Sequence, residues 1–211
     1  MRKKLNAGKR PLRLLIATRN KGKLREIKPL LSSLKVEFVG LSEFPDAPVV
    51  EEDGQSHEEN AVKKALRFAR FSGLLTLAED SGIEVKALGG RPGILSARYS
   101  GENATDKKNN DKLLQELEGM PNDKRRARYV CVIALASPEG IIFTAEGECP
   151  GYIATEERGE GGFGYDPLFL HPALGGKTFA QVPLAAKNKH SHRAQAYEAF
   201  KAKFKAYMRE K

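Results

Sequence analysis

The chain has 211 residues, with 36 Lys+Arg against 27 Asp+Glu, a net charge of +9, 40% apolar and 8% aromatic residues. That length suits one large domain or two small lobes sharing a core, and the apolar fraction with mixed charge excludes a disordered chain. No apolar run approaches the roughly 20 residues that span a bilayer, and the basic start MRKKLNAGKRP lacks the apolar region of a signal peptide. Two widely separated cysteines, Cys131 and Cys149, exclude a disulfide scaffold or a zinc finger and read as ordinary thiols of a cytoplasmic protein.

In chain order, Leu12–Ala17 reads as a strand, and Leu24, Ile27, Leu30, Leu31 and Leu34 keep the three-and-four spacing of a helix face. A strand over Val36–Leu41 and a Pro- and acid-rich loop over Glu43–Gln55 follow. Ser56 and Glu59 form a capping-box pattern for a helix that buries Ala61, Val62, Ala65, Leu66 and Ala69 and stops near Ser72-Gly73. Leu74–Ala78 then predicts a short buried strand ending at Glu79-Asp80-Ser81-Gly82. The alternation of strand and helix is that of an α/β core. Beyond the turn cluster Gly89–Gly93, Thr105 or Asp106 caps a helix running to about Gly119, with Leu113, Leu114 and Leu117 inward. Arg125–Ala136 and Ile141–Ala145 read as strands around Ser137–Gly140. Gly159–Phe169 is a Gly-rich loop with interleaved aromatics, and a last helix starts at about Ser191. No repeat or low-complexity linker marks a domain boundary.

Charge is unevenly placed: residues 1–28 carry +10, residues 29–186 carry −7 and residues 187–211 carry +6. Two basic ends suit a nucleic-acid surface, a solvated tail plus a Lys-rich helix, or, if they meet in space, a pocket for a polyphosphate. Four constellations bear on that choice. Thr18–Lys23 (TRNKGK) joins a strand to a helix, where backbone N–H groups and lysine attract phosphate; a plain turn with solvated lysines has the same pattern. Glu51-Glu52-Asp53 and Glu79-Asp80 offer hard oxygens of the kind Mg²⁺ prefers, the second pair where an open sheet forms its crevice. Gly161–Pro167 (GGFGYDP) supplies flat faces and a carboxylate for a purine, or core plugs in a Gly-rich turn. Lys187, Lys189, His190, His192 and Arg193 cluster ahead of the last helix without a third zinc ligand.

In this order, ATRNKGKLREI, EEDG with ENAVKKA, EDSGIEV with LGGRPGILSARYSG, GGFGYDP, and Lys187 followed by HSHRAQA resemble the inosine/xanthosine triphosphate pyrophosphatases from about Leu12 to Ala199. Glu79 departs from the pattern, standing where many members have Asp. The resemblance implies a mixed sheet flanked by helices, in two lobes with a cleft between them, over residues 12–211, preceded by a flexible basic leader at 1–11. It implies a cytoplasmic homodimer that hydrolyses ITP, dITP or XTP to the monophosphate and pyrophosphate, with neither membrane nor nucleic acid as a partner. Mg²⁺ would be held by Glu52 and Asp80, Asp80 also serving as the base for the attacking water. Thr18, Asn20 and Lys23 would hold the triphosphate, with Arg19, Lys21 and Gly22 completing that turn, and Ser81 would touch the substrate. Phe163 would stack on the purine, Gly164, Tyr165 and Asp166 would complete the base loop, and Lys187, His192 and Arg193 would close over phosphate and base. A pyrophosphatase for other nucleotides and a phosphate-tracking nucleic-acid module are the rival expectations.

Overall fold

The computed structural model describes residues 11–210, so the basic leader, apart from Pro11, lies outside the described residues. Six strands form one mixed sheet in the order β2-β1-β3-β4-β5-β6. Strand β1 (Arg13–Ile16) leads through helix α1 (Lys21–Leu31) to β2 (Glu37–Gly40), and β2 leads through helix α2 (His57–Ser72) to β3 (Leu75–Val85). Both β2 and β3 pair with β1 in parallel, the pairing that a crossover helix imposes. The remainder is antiparallel: β4 (Arg126–Ser137) and β5 (Gly140–Ile153) make a long hairpin against β3, and β6 (Phe169–Leu170) adds a short edge. Helix α3 (Asp106–Glu116) precedes β4, and helices α4 (Leu184–His190) and α5 (His192–Arg209) end the described chain.

Side chains alternate across a strand, so each strand feeds two cores. Leu14, Ile16, Leu77, Ile133 and Leu135 pack against Ile27 and Leu31 of α1 and Tyr197, Phe200 and Phe204 of α5. Leu15, Ala17, Ala78, Val132 and Ala134 face Ala61, Ala65, Phe68 and Ala69 of α2. A third cluster lies farther along β3 and β4, where Ile83, Val85, Ala127 and Tyr129 meet Leu113, Leu117, Tyr165, Phe169 and Phe179. The first two clusters lie on the two faces of the central strands, and the third lies beyond them.

Several boundaries differ from those expected. Helix α1 begins at Lys21, not Leu24, because Asn20 caps it by accepting the Lys23 N–H at 3.0 Å. The capping box of α2 is only half formed: Ser56 Oγ accepts the Glu59 N–H, but the Glu59 carboxylate reaches back one residue farther, to the Gln55 N–H. Strand β3 does not end at Glu79; it runs on to Val85 with both acidic residues inside it. Strand β5 continues eight residues beyond the expected Ala145, to Ile153. The last helix starts where expected, with Ser191 capping α5 by accepting the Ala194 N–H, but a further short helix, α4, precedes it over residues that carried no helix expectation.

Candidate active site

Strand β1 ends at Ile16, paired with Leu77, while β3 continues past it. The sheet therefore opens beside Glu79 and Asp80, and a cleft lies there. Ligands of open α/β sheets bind at such a break.

Glu79 and Asp80 are both buried, and they face opposite sides of the sheet. Asp80 turns toward α2. Its Oδ2 is 2.6 Å from His57 Nδ1 and its Oδ1 accepts from Lys64 Nζ at 3.0 Å. Lys64 Nζ donates also to Glu52 Oε1 at 2.7 Å, so one ammonium bridges two carboxylates at the cleft wall. Burial by itself would push the Asp80 carboxyl up; the His57 hydrogen bond and the Lys64 and Lys23 charges outweigh it and hold Asp80 well below the usual carboxylate range. Burial likewise opposes the charge on Lys64, yet the Asp80 and Glu52 charges raise it above the usual lysine value.

Glu79 turns toward α1 and α5. Both its oxygens accept from Arg193 Nε, at 3.0 and 3.1 Å, and Oε1 accepts from Arg193 Nη2 at 2.9 Å, with Lys23 Nζ 3.4 Å away. Arg193 Nη1 reaches Glu26 Oε2 at 2.5 Å and Nη2 reaches Ser81 Oγ at 3.1 Å. Glu26 accepts also from Lys187 Nζ at 2.6 Å, and Lys187 in turn reaches Asp166 Oδ2 at 2.5 Å. Of these side chains Glu26, Arg193 and Asp166 are each 1% exposed, so this is a buried network joining α1, β3, the Gly159–Phe169 loop, α4 and α5. The two basic segments do meet in space, but not as an uncompensated positive pocket: Lys23, Lys187 and Arg193 are matched by Glu26, Glu79 and Asp166. A buried charge requires such pairing.

The opposite wall is the Gly159–Phe169 loop, the one expected to meet a base. The Asp166 carboxylate folds back to accept the Phe163 N–H at 3.0 Å. A Cβ at Gly162, whose φ is +75°, would meet Asp166 Oδ2 at 2.0 Å, so only glycine closes this turn. The Phe163 ring rests against α1, where a Cβ at Gly22 would lie 2.7 Å from it. Lys187 Nζ stands 5.2 Å from the ring centroid and Arg193 Cζ 5.7 Å. Tyr165 is buried, its hydroxyl donating to the Ser96 carbonyl at 2.8 Å. His192 stacks on Tyr129, with centroids 4.5 Å apart, and burial followed by the nearby Arg193 and Lys187 charges keeps it neutral.

The cleft thus brings together Asn20, Lys23, Glu52, Asp80, Ser81, Phe163, Gly164, Tyr165, Asp166, Lys187, His192 and Arg193. Thr18, Arg19, Lys21 and Gly22 stand outside its lining. Thr18 Oγ1 accepts the Asn20 N–H, Arg19 donates to the Ala47 carbonyl at 2.8 Å, Lys21 is exposed, and Gly22 backs Phe163. Glu26, His57 and Lys64 were missed as site residues. The signal for the last two was present: with Asn60 they fall at three-and-four spacing on the face of α2 that also carries Ala61, Ala65 and Phe68.

The family model of the Ham1 family matches residues 14–203. The chain is 54% identical over 189 residues to a dITP/XTP pyrophosphatase from Geobacter sulfurreducens, covering 90% of this chain and 94% of that protein. It is 52% identical over 185 residues to a dITP/XTP pyrophosphatase from Desulforamulus reducens, covering 88% and 92%. Among solved structures it is similar to a Ham1 protein from Coxiella burnetii, at a TM-score of 0.83 and 39% identity over 92% of this chain and 99% of that one. The Ham1 protein of Staphylococcus aureus aligns over the same shares, at a TM-score of 0.81 and 39% identity. With matched sequence, matched sheet and the site motifs in a common cleft, the chain belongs to the Ham1 family.

Proposed function

We propose that the protein hydrolyses deaminated purine nucleoside triphosphates, dITP, ITP and XTP, to the monophosphate and pyrophosphate. One observation carries the reading: a single cleft has a carboxylate pair, Glu52 and Asp80, on one wall and the Phe163 loop on the other, with Asn20 and Lys23 at the mouth of α1 between them. The names of the relatives supply the substrate class.

Glu52 and Asp80 fit a small, hard divalent cation. Their oxygens already converge on one positive atom, Lys64 Nζ, at 2.7 and 3.0 Å. Mg²⁺ takes one or two carboxylates and completes its shell with water and substrate phosphate. Bound there, it would neutralise phosphate charge and acidify water. Lys23 and the N-terminus of α1 attract the phosphate chain, and Phe163 offers a face to the purine. Water attacks the α-phosphorus, the bond to the bridging oxygen breaks, and pyrophosphate departs with its electron pair. Asp80, ionised throughout the neutral range, orients the water and receives its proton. Such a strongly depressed carboxyl is a weak base, which suits a reaction governed by positioning and charge rather than proton transfer. Arg193, bonded at Nε, Nη1 and Nη2, forms a fixed wall beside the base. The same reading makes the enzyme a cytoplasmic homodimer, a state that light scattering on the purified protein tests.

The decisive experiment is a panel of ITP, dITP, XTP, GTP and ATP with Mg²⁺ and pyrophosphate detection. A purine with a 6-oxo group and an N1–H has the opposite donor pattern to adenine, and each buried mismatch costs about 1–3 kcal/mol. We expect kcat/KM for ITP, dITP and XTP to exceed that for ATP by roughly 100-fold or more. Equal hydrolysis of ATP and ITP would overturn the reading.

A further inference from the structure

The base loop is fastened to α3 through one residue. Asp106, the first residue of α3, accepts the Gly164 N–H at 2.7 Å. Asn110, one turn later, donates from Nδ2 to the Gly164 carbonyl at 3.2 Å and to Glu157 Oε1 at 2.9 Å. Residues four apart on a helix face the same way, so α3 grips the N–H and the C=O of a single residue from one face. The grip is anchored: between them Asn109 donates to the Ser96 and Ala97 carbonyls at 3.3 and 3.2 Å and accepts the Ser100 N–H at 2.8 Å. Asn110 is 2% exposed, whereas Asp106 lines the cleft.

The gripped residue directly follows Phe163. Gly162 and Gly164 both have φ in the left-handed region, at +75° and +62°, and glycine-rich backbone loses the most freedom on ordering. We infer that Asp106 and Asn110 are positioning residues that hold the Phe163 ring in place before substrate arrives, and so set the affinity for the purine without acting on the phosphates. Ordering made in advance is not charged against binding. This inference rests on the proposed function for the identity of the base and on the hydrogen bonds above for the latch.

The test uses the full chain with Asp106→Ala, Asn110→Leu and the conservative Asp106→Asn, whose side-chain carbonyl still accepts the Gly164 N–H. Expected for Asp106→Ala is a rise of roughly tenfold in KM for ITP with kcat within about twofold, and a parallel weakening of IMP binding by calorimetry. Asn110→Leu is expected to raise KM by about fivefold. Inorganic tripolyphosphate, which has no base, should inhibit all variants with an unchanged Ki, and Asp106→Asn should restore KM to within about threefold of wild type. A merely structural role would lower the melting temperature and shift tripolyphosphate and ITP together. IMP affinity unchanged in Asp106→Ala, a tripolyphosphate Ki that rises with KM, or Asp106→Asn behaving like Asp106→Ala overturns the latch. Absence of ITP turnover by the wild type overturns the proposed function instead, and IMP calorimetry still decides the latch.

Discussion

Adjacent residues in a strand face opposite ways, and the two acidic side chains at the centre of β3 divide their labour accordingly. Asp80 meets α2 and the cleft; Glu79 meets α1 and α5. Replacing Asp80 by its neutral isostere is therefore expected to remove function and leave the fold. For Asp80→Asn kcat should fall by roughly 10²–10⁴-fold, with an unchanged circular-dichroism spectrum; turnover within threefold of wild type would remove Asp80 from the reaction. Glu79 should matter to stability instead. Burial would raise its carboxyl, but the Arg193 and Lys23 charges hold it at about 2 against an ordinary 4.5. A depressed carboxyl contributes stability above its unfolded value that is lost as pH falls through the folded one. The window is pH 4.5 down to 2, and the contribution is about 3 kcal/mol. Thermal melts across that window should show Glu79→Gln with a flatter acid limb than wild type, and with lower stability at pH 7 because Arg193 loses its main partner. Equal slopes for the two proteins would contradict the assignment.

At the scale of elements, α5 does two things: its first turn delivers His192 and Arg193 to the site, and its later turns form the core under β4 and β5. Phe200 is fully buried and packs with Phe143, Tyr197 and Phe204 at centroid distances of 5.5, 6.1 and 5.6 Å. Phe200→Ala should cost about 3–5 kcal/mol in urea unfolding, while KM for ITP, measured well below the melting temperature, stays near the wild-type value. A small loss of stability would mean that the cavity collapses, and a large KM change would mean that α5 shifts as a rigid unit. The expected elements were largely recovered where amphipathic spacing was strong, as in α2 and α3. Both ends of α2 and the starts of α3 and α5 were legible from their capping residues, whereas the start of α1 was not, because the Asn20 cap depends on a single hydrogen bond.

Across the whole molecule, the basic charge that dominates the sequence is largely a property of its ends. Five basic residues, Arg2, Lys3, Lys4, Lys9 and Arg10, precede every site motif. Deleting residues 1–10 should leave kcat for ITP unchanged and lower salt-sensitive retention on nucleic acid. A large loss of activity would place the leader in the site. Among the described residues no helix is long and apolar enough to cross a membrane.

The sequence by itself determined the strand–helix alternation, the apolar faces of α1, α2 and α3 and the order of the site motifs, since spacing of apolar residues and short turn signals are local properties. It also singled out Asp80 and Phe163, which the fold brings to one cleft. Tertiary structure alone decided that β3 runs through Glu79 and Asp80 instead of ending there. Two charges can lie inside a buried strand only when Arg193, Lys23 and Lys64, distant in the chain, arrive to neutralise them and His57 adds a hydrogen bond. It decided equally that the lysines and arginine of the two ends are paired with Glu26, Glu79 and Asp166. Pairing across 161 and 167 residues leaves no periodic trace in either segment, because its cause is the packing of α1, α4 and α5 against one another.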